Sequence, residues 1–377
     1  MAIQVVEHEP RYREAVDAFN GRMRAGGSPF GFYVDPVPRW LAPREGAPVE
    51  RRYFLAVDDD VVRAGYALKP QAWWFDGREV TITDSQGPFS EGAIDPRFVP
   101  LGLRLFRDMA KRQPHLYSWG HGGDEQVIVQ LIEKLGWHLH PTPLALRVLR
   151  PKAFLLRNGM LRTDPRRRAA LDVLAHTGLG DVSMHAMHLA IRSAGGRPKL
   201  RSRIDVVPRW ESWADEVWLA HRDEYTACAV RDARAMNALL PEGERQPEWS
   251  EAVRVRVRDG AREVGWAVVL VREFDDHPRF GSMRVGTLAD VFAGTKDAVQ
   301  VVDAATTVMR ELGADLAICN QVHTGWSDAC RRAGWVVLPN KRLFALSPGL
   351  QKLFAPLERT LPGVLLGNLD GHGPMGM

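Results

Sequence analysis

Gly325-Trp326-Ser327-Asp328-Ala329 follows an apolar stretch and opens a helical one. That is the setting in which a hydrolase presents a nucleophilic serine on a strand-to-helix turn. A triad built on Ser327 needs an Asp and a His later in the chain, and Asp328, Asp370 and His372 are the candidates. The last residue of the motif is Ala, and Asp370 and His372 sit in a tail that reads as flexible, so a helix start is expected here. His121-Gly122-Gly123 has the look of an oxyanion loop, but no elbow follows it in its own half, and a turn is the better reading. His185 and His188 are spaced i, i+3 on a helical stretch without a third ligand nearby, which suits packing more than metal. No phosphate-loop, dinucleotide or zinc spacing is present. Cys228, Cys319 and Cys330 give no even disulfide framework and fit a reducing cytoplasm.

The elements that must position such residues follow one grammar, read twice. The first half gives a strand at 3–6 and a helix at 12–20, then a Gly- and Pro-rich loop to about residue 50. A hairpin at 53–57 and 61–68 and a strand at 79–84 follow. A loop at 86–96 leads to a helix at 98–112, a strand at 115–119, a helix at 124–135 and a strand at 137–148. The second half gives a strand at 204–207, a helix at 211–222, a hairpin at 253–257 and 264–272, and a strand at 283–291. A Gly294-Thr295 turn then opens a helix at 297–312, before a strand at 316–320, a helix at 326–333 and a strand at 335–346. Short echoes keep register near 200 residues apart: Gly136-Trp137 with Gly334-Trp335, Gly65-Tyr66-Ala67 with Gly265-Trp266-Ala267, and Ile3 to Val6 with Ile204 to Val207. The expected division is a first domain at 1–150, a connector at 151–203, a second domain at 204–356 and a tail at 357–377.

Composition sets the bounds. With 377 residues, 45% hydrophobic and 25% charged, the chain has room for two globular domains. No uncharged apolar run of 18 residues is present, so no membrane-spanning helix is expected, and the first residues lack a signal peptide's pattern. The net charge of +4 is concentrated in the connector, where 12 Lys or Arg face three acids between Arg150 and Arg203. A solvated basic linker is one reading; a surface for anionic lipid, acidic polysaccharide or nucleic acid is the other. No aromatic residues interleave these charges, which argues against single-strand binding. Of the 12 tryptophans, Trp40, Trp73, Trp74, Trp119 and Trp137 could line a sugar cleft or fill a core.

The doubled α+β order, the turn at Gly294-Thr295 after a fourth strand, and the Gly-Trp pair opening a last strand resemble the acyl-CoA N-acyltransferases of the GNAT superfamily. The layout is also similar to that of the FemABX aminoacyl-transferases. The resemblance implies two tandem GNAT-like domains, each a mixed central sheet flanked by helices. It implies acetyl-CoA or another acyl-CoA as co-substrate, a small amine or amino sugar as acceptor, and no metal. The family's pyrophosphate turn maps onto Val291-Phe292-Ala293-Gly294-Thr295-Lys296, where Val stands for the leading Gln or Arg and Lys296 for the second small residue. Backbone N–H groups at a helix start suit a pyrophosphate. In the first half, Gln86-Gly87-Pro88-Phe89-Ser90-Glu91-Gly92 has its glycines out of register, and Glu91 would repel a phosphate, so the second domain is the expected active half.

Acylating an amine needs a base, an oxyanion donor and an acid for the leaving thiolate. The resemblance gives Asp290 the base role, with Asp84 its counterpart. It gives Cys330 the acid role, four residues before Gly334, where the first half has Ile132. His323 is implied as a base or pantetheine contact, and Asn320 joins the cofactor residues. The alternatives for Asp290 and His323 are cap or turn roles. A non-catalytic scaffold and an aminoacyl-tRNA-dependent transferase remain as rival functions.

Overall fold

The computed structural model describes residues 3–32, 40–121, 126–194, 202–243, 249–339 and 342–373. Its strands, in chain order, are β1 (Gln4–Glu7), β2 (Arg52–Asp58), β3 (Val61–Phe75), β4 (Arg78–Ser90), β5 (Leu116–His121), β6 (His138–Pro141) and β7 (Leu144–Val148). They continue with β8 (Arg203–Val207), β9 (Ala227–Ala229), β10 (Glu251–Asp259), β11 (Arg262–Glu273), β12 (Arg284–Ala293), β13 (Leu316–Asn320), β14 (Val336–Leu338), β15 (Leu343–Leu346) and β16 (Val364–Leu365). One sheet has the order β1-β2-β3-β4-β5-β15-β6 and the other β14-β7-β13-β12-β11-β10-β8. Apart from the parallel pairs β4–β5 and β12–β13, the neighbours whose register is defined in these two orders run antiparallel. Both sheets are therefore mixed, with helices packed against them, as expected.

The chain divides into two compact units, 1–140 with 343–355 and 141–342 with 356–377. These boundaries differ from a division at 150 and 356, and the reason is an exchange of strands. The apolar run read as one strand over 137–148 is broken by Thr142-Pro143 into β6 and β7, which belong to different sheets. Likewise 335–346 splits into β14 and β15. β7 lies between β13 and β14, and β15 between β5 and β6, so each half of the sequence supplies one strand to the other half's sheet. Proline cannot donate to a ladder, so a strand that meets one is a natural place to change sheets.

The 151–203 stretch is built into the second unit instead of linking two domains. Its helices Pro151–Arg157, Pro165–His176 and Leu179–Ala194 pack on one another, and the last packs on the helix Thr324–Arg332. The 357–377 tail is folded as far as it is described: β16 pairs in parallel with β9, and Asn368, Leu369 and Asp370 are buried. Of the tryptophans considered for a sugar cleft, Trp40, Trp73, Trp119 and Trp137 are buried.

Sequence pattern explains the strands. Val253, Val255 and Val257 alternate inward along β10, while Arg256 and Arg258 point to Glu263 and Asp205. The continuous apolar run of β11 is buried on both faces, covered on one side by the helix Ala298–Glu311. The repeated Gly-Trp pairs are helix stops. Gly136 (φ +78°) and Gly334 (φ +84°) take the left-handed conformation, and the following Trp N–H donates back to Ile132 and Cys330 carbonyls. The first unit's β4–β5 pairing spans only Thr83 and Asp84, and the second unit's β12–β13 pairing only Val285 to Thr287, although β4 and β12 run on well past these points. Each of these two strands also carries a bulge just beyond that point, opposite Gly65/Ala67 on β3 and opposite Val268/Val269 on β11.

Candidate functional site

β12 carries the residues on which the sequence reading converged. Its bulge leaves Ala289 between Leu288 and Asp290 without an opposite number on β11. Asp290 is fully buried and sits on a guanidinium. Arg231 Nε and Nη2 each donate to it at 3.1 Å, and Nη2 also donates to Asp370 Oδ2 at 2.5 Å. The third guanidinium nitrogen of Arg231, Nη1, donates to the Ala229 carbonyl at 3.0 Å. Asp370 Oδ2 also accepts the Gly367 N–H at 2.8 Å, and Gly367 lies so close to Ala289 and Asp290 that an added Cβ would come within 2.8 Å of the Ala289 carbonyl. Two carboxylates thus share one guanidinium in a dry setting. Burial, against the pull of Arg231 and with the push of Asp370, raises the Asp290 carboxyl to about 6. Arg231 carries no signal of its own in the sequence, and Asp370 enters there only as a possible triad acid for Ser327. Only the fold brings together positions 231, 290 and 370.

The turn after β12 is already filled. The Thr295 N–H and hydroxyl both donate to Glu224 Oε2, at 2.7 and 2.8 Å, and His221 Nδ1 lies 2.7 Å from Glu224 Oε1. Although partial burial works the other way, these donors hold the Glu224 carboxyl below its usual value. A Cβ on Gly294 would come within 2.8 Å of the His221 ring. The turn therefore binds an anion, as the helix-start argument requires, but the anion is the chain's own carboxylate. As it stands, it does not fit a pyrophosphate. Lys296 is exposed, while the side chains of Val291 and Phe292 are core; the Phe292 ring lies 5.0 Å from Trp266 and 5.3 Å from Tyr225.

The remaining residues are spread over the end of β13 and the helix that follows. Asn320 Nδ2 donates to the Pro143 carbonyl at 3.1 Å, which ties β13 to the segment leading into β7. His323 caps the helix Thr324–Arg332, accepting the Trp326 N–H at 3.3 Å, and its ring meets Tyr225 edge-on at 5.2 Å. Burial takes its pKa down to about 4, so it is neutral at pH 7. Cys330 is 1% exposed, and a hydrogen bond with Cys319 together with burial holds its thiol well above the usual value. That core position does not suit the acid role. Ser327 lies inside the same helix and Asp370 is bound to Arg231, so no hydrolase triad forms. His188 Nδ1 donates to the Gly334 carbonyl and His185 Nδ1 to the Asp181 carbonyl, each at 2.8 Å. Among the described residues no three metal-ligating side chains cluster. Gly122 and Gly123 lie outside the described residues.

The sequence matches no family profile and no curated protein. Solved structures do match. A GCN5-related N-acetyltransferase from Anabaena variabilis superposes with a TM-score of 0.54 at 10% identity, over 91% of this chain and 72% of that one. A probable N-acyltransferase from Enterococcus faecalis gives 0.52 at 10% identity, over 94% and 75%. Saccharomyces cerevisiae N-myristoyltransferase, solved with bound myristoyl-CoA, gives 0.51 at 9% identity, over 92% and 79%. At such identities the likeness is one of architecture. The chain has the GNAT fold, in two mixed sheets flanked by helices that together span most of its length.

Proposed function

We propose that this protein is an N-acyltransferase that moves an acyl group from an acyl-CoA thioester to a small amine or amino sugar. The observation that carries this reading is the bulge in β12 at the point where β12 and β13 stop pairing. A bulge frees a backbone N–H from the ladder, and a backbone N–H is a suitable donor to a tetrahedral oxyanion. Beside it, Asp290 and Asp370 exceed Arg231 by one negative charge, which favours an ammonium and, with Asp290 raised to about 6, a proton acceptor near neutral pH. In this reading His323 positions the helix Thr324–Arg332, and Gly294 and Thr295 form the donor's phosphate turn once Glu224 has left it. The reading places the protein in the cytoplasm, where acyl-CoA is made.

A second reading is favoured by Glu224 itself. A chain that had lost its donor would keep such a carboxylate on the turn for good, and the fold would serve as a scaffold. Calorimetric titration with acetyl-CoA separates the two. We expect micromolar binding, near −8 kcal/mol, lost in Gly294→Glu and about tenfold tighter in Glu224→Ala. Binding that survives Gly294→Glu moves the donor site off this turn. No binding of acetyl-CoA or longer acyl-CoAs by either the native chain or Glu224→Ala leaves the scaffold reading.

A further inference from the structure

In the second unit, away from β12, three arginines converge on one cavity. Arg147 reaches it from β7, Arg192 from the helix Leu179–Ala194 and Arg310 from the helix Ala298–Glu311, and Asp303, Thr307 and Ser202 complete its polar wall. The cavity measures about 190 Å³, about six waters' worth. That is smaller than the roughly 300 Å³ at which sites for whole drug-sized ligands begin. Its charges are unbalanced. Asp303 binds Arg192 at 2.9 Å, and Arg147 donates to the Ala333 carbonyl at 2.6 Å, but among the described residues no carboxylate is bonded to Arg147, and Arg310 is exposed. Burial first, and then the neighbouring Arg310 and Arg192 against the pull of Asp303, bring the Arg147 guanidinium down to about 10.

We propose that this cavity binds the phosphate monoester group of a ligand. Three guanidiniums against one carboxylate leave two positive charges, which a phosphate dianion neutralises. Guanidinium forks match phosphate oxygens in pairs, and they carry the binding here, because the Ser202 and Thr307 hydroxyls already donate to Gln300 Oε1 at 2.8 Å and to the Asp303 carbonyl at 3.0 Å. The volume admits the phosphate end and leaves the rest of the ligand outside. The ligand is a phosphorylated small molecule or a lipid headgroup such as phosphatidic acid, and this site is independent of the donor turn at Gly294.

The test uses the full chain at constant ionic strength. Inorganic phosphate and glycerol 3-phosphate are titrated calorimetrically, and flotation is measured with phosphatidylcholine vesicles with and without phosphatidic acid. Arg310→Glu relieves the repulsion on Arg147, so it is expected not to lower the melting temperature without phosphate while weakening phosphate binding at least tenfold. Asp303→Asn, which raises the positive excess, is expected to tighten it. Saturable binding in the soluble arm identifies a phosphorylated metabolite; Arg310-dependent flotation alone identifies the headgroup. The proposal is overturned if chloride competes as well as phosphate, or if Arg310→Glu changes neither arm.

Discussion

At the scale of single residues, Arg231 is the shared partner of two carboxylates. Its guanidinium is 1% exposed and bound to two buried carboxylates, so removing it strands both. Arg231→Leu is expected to lose about 3–5 kcal/mol in urea unfolding. The same substitution combined with Asp290→Asn and Asp370→Asn should recover most of the loss; if the triple variant is no more stable, the carboxylates are not the cause. His323 gives a pH signature. Its folded pKa of about 4 lies below the 6.5 of an unfolded histidine, so the unfolded chain binds more protons between these values. The contribution is present above pH 6.5 and is lost as pH falls toward 4, by up to about 3 kcal/mol. Denaturation at pH 7.5 and 5.0 should show this, and His323→Asn, which keeps a capping oxygen, should flatten it.

Among the elements, the two Gly-Trp helix stops allow a matched comparison. Both glycines have positive φ, so alanine at either costs about 1 kcal/mol from the backbone alone. Space separates them. A Cβ at Gly136 meets only Pro348, at 3.8 Å, whereas one at Gly334 comes to 3.0 Å from the carbonyl of His188, a residue whose ring Nδ1 already donates to the Gly334 carbonyl. Gly334→Ala should therefore lower the melting temperature by more than Gly136→Ala does. Equal shifts would mean that the helix Leu179–Ala194 yields freely. The parallel contacts at β4–β5 and β12–β13 make the complementary point. They last two or three residues, and the bulges that follow them set where the backbone is free of the ladder.

For the whole molecule, the strand exchange governs how the chain can be divided. A fragment of residues 1–150 has β5 and β6 but lacks β15, the strand between them, and it carries β7 with no partner. Unpaired ladders of that kind are open to wrong pairing. Fragment 1–150 is expected to aggregate or to melt without a cooperative transition, while the full chain melts cooperatively. A soluble fragment with a sharp transition would contradict the exchange.

The GNAT layout was legible from apolar periodicity, the turn at Gly294-Thr295 and the paired Gly-Trp stops, because helix and strand periods and glycine's left-handed conformation are local properties. Local chemistry also put a helix cap at His323 and an anion-binding turn at Thr295. Which anion fills that turn, which guanidinium Asp290 meets, and that Cys330 faces Cys319 all depend on residues far apart in the chain. So does the destination of β7 and β15. A strand's pattern states that one face is buried, yet it does not name the neighbour, since any sheet edge offers the same N–H and C=O groups. Only the tertiary structure decided those pairings, and with them the charges that surround each candidate residue.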